Sequence, residues 1–119
     1  MNNDFEKAFE TFLAGCNKIV EDANLCRETK VVIRGGRKFL ALDRSELGRY
    51  NGEMKWTTTS VHCFIATEDG HSKYMGHYKA GDVLKPASYK KPARHARGNI
   101  FDANNGLAAM SWTGPAYIC

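Results

Sequence analysis

Residues 4–23 carry one continuous helical pattern. Phe5, Ala8, Phe9, Phe12, Leu13, Cys16, Ile19 and Val20 recur at intervals of 3, 4 and 1, which lays them along one face of a helix. Asn3 is placed to cap the start, with Glu6 three residues later completing a box-like pair. Asp4 and Glu6 fall in the first turn, where the helix dipole favours acids. Asn24 suits a left-handed stop. An aromatic stripe of this kind needs an apolar surface, and one face of a sheet supplies it most economically.

After the helix the period changes. Thr29–Arg34 and Arg37–Leu42 flank Gly35-Gly36, a pattern that predicts a hairpin with a two-residue turn. That register sets Val32 opposite Phe39, Val31 opposite Leu40, and Arg34 opposite Arg37. Like charges across strands are destabilising, so the two arginines either splay into solvent or share an anion. Residues 43–55 are polar and turn-rich, with room for a helical turn at 44–48. Trp56–Thr67 is the strongest strand pattern in the chain. Simple alternation puts Val61, Cys63 and Ile65 on one face, and His62 and Phe64 on the other.

Glu68-Asp69-Gly70 marks a turn, and Lys73–Lys79 reads as a further strand with Tyr74 and Tyr78 on one face. Ala80-Gly81-Asp82 turns into Val83-Leu84-Lys85. Pro86 and Pro92 break up the next segment, and Pro92 suits the first position of a short helix over 93–101. Asn104-Asn105-Gly106 is a loop, and Trp112, Tyr117 and Ile118 belong to a terminal strand or packed tail. With no repeats or linkers, the expectation is one α+β domain over 1–119. One N-terminal amphipathic helix packs on an antiparallel sheet of about four or five strands.

Composition narrows the class. Hydrophobic residues are 43% and charged residues 25% of the chain, ordinary for a globular domain and unlike a disordered or fibrous one. No apolar run approaches the roughly 20 residues of a membrane span, and no membrane partner is expected. The acidic N-terminus lacks a signal-peptide pattern, and Cys119 does not sit in a prenylation box. A cytoplasmic location is expected. Cys16, Cys26, Cys63 and Cys119 form no C-x-x-C pair and read as reduced thiols.

Charge changes the picture more. Residues 1–28 hold six acids and three bases, whereas residues 29–119 hold seven acids and fourteen bases. The net +4 is therefore an acidic helix set against a basic body. The sharpest cluster is 85–97, with Lys85, Lys90, Lys91, Arg94 and Arg97, His95 and no acid. Ser88 adds a donor and Tyr89 a stacking ring. Phosphate neutralisation beside an aromatic platform is what single-stranded nucleic acid or a nucleotide requires. A helix after Pro92 would put Arg94 and Arg97 on one face. Arg34 and Arg37 at the hairpin tip are further candidates.

Other chemistry is thin. His62 and Cys63 are adjacent in a strand and point apart, and His71 and His77 supply two metal ligands where zinc takes about four, so no metal is expected. No cofactor is expected either, because Gly35-Gly36 lacks the rest of a phosphate or dinucleotide loop. Cys63 with a histidine is formally a nucleophile pair, but no acid–base constellation stands out.

Two blocks carry a resemblance. Ser60-Val61-His62-Cys63-Phe64-Ile65, followed by Gly81-Asp82-Val83-Leu84-Lys85-Pro86-Ala87-Ser88-Tyr89-Lys90-Lys91-Pro92-Ala93-Arg94-His95-Ala96-Arg97-Gly98-Asn99-Ile100, resembles a family of small tailed-bacteriophage proteins. There a V-H-C-F strand leads to G-D-V-x-K-x-A-x-(W/Y)-K-x-P-A-(K/R)-x-A-R-(G/Y)-N. The likeness covers about a third of the chain, and Glu68–Ala80 is a longer insert than the family pattern has. It implies a phage setting in the host cytoplasm, where small proteins act in host takeover or counter-defence. Three functions are expected on these grounds. The first is a non-catalytic accessory protein that binds nucleic acid or another polyanion through 85–97. The second is a protein–protein inhibitor of a host enzyme, using the apolar face of the 29–42 hairpin. The third is a sponge for a small nucleotide signal, using the same basic residues with Arg34 and Arg37.

Overall fold

A computed structural model describes residues 3–24, 28–73, 76–93, 95–107, 110–111 and 114–115. The amphipathic stripe folds as helix α1 (Asn3–Asp22), and Asn24 ends it at φ 51°. The strands are β1 (Thr29–Gly35), β2 (Phe39–Tyr50), β3 (Glu53–Ala66), β4 (Gly70–Ser72), β5 (Gly76–Tyr78), β6 (Asp82–Leu84), β7 (Gly98–Asn99), β8 (Met110–Ser111) and β9 (Gly114–Pro115). Five of them form one antiparallel sheet in the order β1-β2-β3-β6-β7. The α+β expectation therefore holds, with the helix on one face of the sheet.

The core is the seam between them. Phe5, Phe9, Phe12, Cys16 and Val20 from the helix are buried against Val31, Leu42, Cys63, Ile65, Val83 and Ile100. Removing this much apolar surface from water is the main driving force for docking α1. Gly15 lets the chain approach closely, since a Cβ there would lie 2.4 Å from Leu107. A second, smaller cluster on the opposite sheet face joins Ala41, Phe64 and Leu84, with Phe39 and Val61 packed against it.

Several local expectations need correction. The β1–β2 register pairs Ile33 with Leu42 and Gly35 with Ala41, so Arg34 is an extra, bulged residue and does not face Arg37. The connection is longer than two residues, since β1 ends at Gly35 and β2 begins at Phe39; Gly35 and Gly36 take positive φ, 108° and 143°, and Gly36 lies close to the Phe39 carbonyl. Residues 43–50 are not a turn-rich segment but the second half of a long strand. It reverses through Asn51-Gly52, both at positive φ, into β3. Val61 shares a face with Phe64 rather than with Cys63, because β3 carries an extra residue at His62: Leu42 pairs with Cys63, but Asp43 pairs with Val61.

Gly70–Ser72 pairs with Gly76–Tyr78 as β4 and β5, so of the strand expected at Lys73–Lys79 the described residues show only Gly76–Tyr78. Tyr74 lies outside the described residues, as do Cys26, Trp112, Tyr117, Ile118 and Cys119. No helix forms among the described residues of 93–101. The Arg97 N–H donates to the Val83 carbonyl and Gly98-Asn99 pairs with β6, so the sheet takes the backbone donors a helix would use.

β1 is a sheet edge, and α1 closes it. The Asn17 amide accepts from the Val31 N–H at 2.7 Å and donates to the Val31 carbonyl at 3.1 Å, as a neighbouring strand would. This satisfies the edge and fixes the helix along it. Asn17→Ala is expected to lower unfolding free energy by about 1–3 kcal/mol, because both Val31 groups lose their partner while half-buried. Urea denaturation of the two proteins measures it.

Candidate anion-binding site

The basic segment folds as a closed loop on the sheet face opposite the helix. Pro86 and Pro92 pair across its neck, and the Ala93 N–H donates to the Lys85 carbonyl. At its tip the Ala87 and Ser88 N–H groups both donate to the Lys91 carbonyl, which turns Tyr89 and Lys90 outward. Proline at each side of the neck removes donors that a longer ladder would need. The loop is therefore short, and its tip from Ser88 to Lys91 is exposed.

Arg34 ties this loop to the hairpin. Its Nε donates to both carboxylate oxygens of Asp43, at 3.1 and 3.0 Å. Its Nη2 donates to the Tyr89 carbonyl, and its guanidinium carbon lies 3.9 Å above the Tyr89 ring. Phe64 flanks the same guanidinium at 5.9 Å. Asp43 is 3% exposed, so this carboxylate is consumed by Arg34 and withdrawn from solvent. Beside the pair lies a cleft of about 280 Å³ lined by Arg34, Gly35, Gly36, Arg37, Lys38, Phe39, Ala41, Phe64 and Lys90. Arg37, Lys38 and Lys90 make no ion pair with any described residue. Three cations thus stand around an aromatic floor, with a fourth held rigidly at its edge. Such a cleft can take an anionic group and a flat ring beside it.

The expected site residues divide on this geometry. Arg34, Arg37 and Lys90 line the cleft, Tyr89 stacks at its wall, and Ser88 and Lys91 share the loop tip. Lys85, His95 and Arg97 belong to the stem. Lys85 is half-buried near His62, and the Arg97 guanidinium donates to the His95 carbonyl. Arg94 lies outside the described residues. Among the described residues of 93–101 there is no helix, so Arg97 does not stand on the basic helical face expected of it. Sequence reasoning missed Lys38, Asp43, Phe39 and Phe64. The overlooked signal was Asn51-Gly52: a hairpin there makes 43–50 a strand and places Asp43 beside Arg34.

The buried nucleophile candidates behave differently. Burial raises the Cys63 thiol well above its ordinary range, with nearby Cys16 adding to the effect, and Cys16 itself is pushed up to about 12 by burial. Neither is presented as a thiolate at neutral pH. His71 and His77 are directly paired across β4–β5 with ring centroids 4.4 Å apart. Among the described residues no group of three or more potential ligands converges on a metal position.

The chain belongs to a family of unknown function (DUF7717), whose pattern matches residues 3–118. No curated protein and no solved structure matches it. Among the described residues no helix is long and apolar enough to cross a membrane.

His62, at the β3 bulge, is fully buried, and neither ring nitrogen is hydrogen-bonded to a described residue. Burial, then the charges of Arg44 and Lys85, lowers its pKa from 6.5 to about 4. The ring is neutral in the fold. Between pH 6.5 and 4 the unfolded chain binds a proton there and the folded one does not, so its contribution is intact above pH 6.5 and lost as pH falls to 4. Acidification over that window is expected to remove up to about 3 kcal/mol. Urea denaturation at several pH values checks this, and His62→Gln is expected to flatten the dependence.

Proposed function

We propose that this protein is a non-catalytic phage accessory factor that binds single-stranded nucleic acid, or a closely related polyanion, in the cleft between the 85–93 loop and the β1–β2 hairpin tip. One observation carries the reading. Arg34 stacks on Tyr89 while anchored to Asp43, which holds two sequence-distant basic segments against each other. Arg37 and Lys38 from one segment and Lys90 from the other then surround Phe39 and Phe64. Cations supply phosphate neutralisation, and the exposed Tyr89 ring with the half-buried Phe39 offers a stacking surface. The likeness to phage proteins supplies the setting, a host cytoplasm during infection, and with it a role in host takeover or counter-defence.

Two narrower readings draw on particular features. The cleft's 280 Å³ is also near the size that a single nucleotide occupies, which favours a sponge for a nucleotide signal. A separate groove of about 320 Å³, lined by Phe5, Phe9, Leu13, Ile33 and Leu40 and rimmed by Glu6 and Glu10, favours inhibition of a host enzyme by apolar docking.

Binding to a fluorescent single-stranded oligonucleotide is expected to weaken steeply with salt. The log–log slope is expected near −2, from roughly −0.7 for each phosphate that Arg37, Lys38 and Lys90 neutralise. Arg37→Ala/Lys38→Ala/Lys90→Ala is expected to abolish most of the slope. A flat salt dependence, or unaltered binding by the triple variant, overturns the proposal. Thermal stabilisation by a mononucleotide alone selects the sponge instead. Capture of a host protein that resists nuclease and high salt, and is lost in Ile33→Asp, selects the inhibitor.

A further inference from the structure

The cleft occupies one end of a longer strip on the same sheet face. Directly paired residues share a face, so the face that carries Asp43 continues through Ser45–Thr58, Leu47–Trp56 and Arg49–Met54. β1 contributes Lys30, Val32 and Arg34 to it. Beyond the reach of β1, β2 and β3 form a two-stranded ribbon that projects from the body, and every residue from Asn51 to Ser60 is exposed. On that ribbon Trp56 is 42% exposed, and the Lys30 Nζ stands 4.0 Å over its ring.

Trp56 is held beside a cation on the strip that leads to the cleft. The signs of the charges are one-sided. Glu46 pairs with Thr29 and Glu53 with Tyr50, which puts both acids on the opposite face. Among the described residues, the only carboxylate these three strands give to the strip is Asp43, and Arg34 consumes it. Lys30 and Arg34 are four residues apart on one strand, about 13 Å, a span that calls for an extended ligand of several repeating units. Lys30 at one end and Arg37, Lys38 and Lys90 in the cleft at the other, with a flat ring at each end, match a single strand of nucleic acid better than a compact anion.

We infer that Trp56 stacks a base and Lys30 contacts a phosphate of the same strand whose other end lies in the cleft, so that the nucleic acid runs along the outer sheet face from the Tyr89 loop to the β2–β3 ribbon. This rests on the cleft being a nucleic-acid site. It adds a dependence on length: short oligomers fill the cleft, and longer ones gain the Trp56 platform.

The test compares a thymidine dinucleotide with a thymidine decamer by fluorescence anisotropy, using the full chain. Trp56→Ala is expected to weaken the decamer about ten-fold or more while leaving the dinucleotide unchanged, as loss of one stacked base does. Trp56→Phe is expected to retain most of the affinity, and Lys30→Ala to reduce the decamer's salt slope by about one phosphate. Circular dichroism melts of each variant confirm the fold, and the Lys30 variant gives a second readout should Trp56→Ala not fold. Equal decamer binding by wild type, Trp56→Ala and Lys30→Ala overturns the strip and leaves the cleft standing, provided Arg37→Ala/Lys38→Ala/Lys90→Ala still loses binding. Failure of the wild type to bind either oligonucleotide overturns both. Equally tight binding of polyglutamate, with the same dependence on Trp56, overturns nucleic acid as the occupant.

Discussion

Arg34 is the joint on which the outer face of this protein depends. One guanidinium is bonded to a buried carboxylate, to a backbone carbonyl 55 residues away and to an aromatic ring. Each contact alone is modest at a partly exposed site. Together they define where the 85–93 loop sits relative to the hairpin, because the loop has few apolar anchors of its own. The bulge at Arg34 is what makes this reach available. In a regular ladder the side chain would stand elsewhere, and Asp43 would be buried without its partner, an arrangement that is strongly destabilising.

The two faces of the sheet are held by different physics. The helix face is a dry seam of aromatic and aliphatic side chains, with the Asn17 amide completing the edge of β1. The outer face has a small apolar patch under a polar superstructure of ion pair, cation–π stack and short loop. The first arrangement resists local opening. The second is secured by fewer buried apolar contacts, and its geometry rests on the Arg34 contacts instead. His62 lies between these regimes. It is a polar ring buried at a bulge without a hydrogen-bond partner among the described residues, and its neutrality links the fold to pH.

The helix, its stop at Asn24, the number of sheet strands and the turn into β6 were legible in the sequence, because each rests on a local signal of period or turn chemistry. The illegible parts stem from bulges and pairing. A single extra residue at His62 moves Val61 to the other face, and no periodicity announces it. Gly35-Gly36 resembles a two-residue turn, yet Arg34 is bulged out of the ladder and β2 begins only at Phe39, so the connection is longer. The basic cluster at 85–97 was visible as charge, but which of its residues converge depends on a loop neck closed by two prolines. Lys90 meets Arg37 at the cleft, while Arg97 turns back on the stem. Trp56 was visible as a strand start only, since its neighbour Lys30 comes from 26 residues earlier.

That division bears on what the outer face is built to do. A cationic surface that only kept the chain soluble would need no fixed geometry, and its side chains would be free to spread apart. Here Asp43, the one carboxylate that β1, β2 and β3 give the strip among the described residues, is hidden beneath Arg34 and screens nothing outside it, while Tyr89 is fixed in place and Arg37, Lys38 and Lys90 converge on one cleft. Ordering these groups before a ligand arrives lowers the entropy that binding must overcome. The interaction that neutralises one positive charge thereby makes the remaining three more effective. On the proposed reading, the acidic helix completes the arrangement from the far side. Its carboxylates lie on the solvent side of α1, separated from the cleft by the whole sheet, and the dipolar chain presents its outer face first to an approaching polyanion.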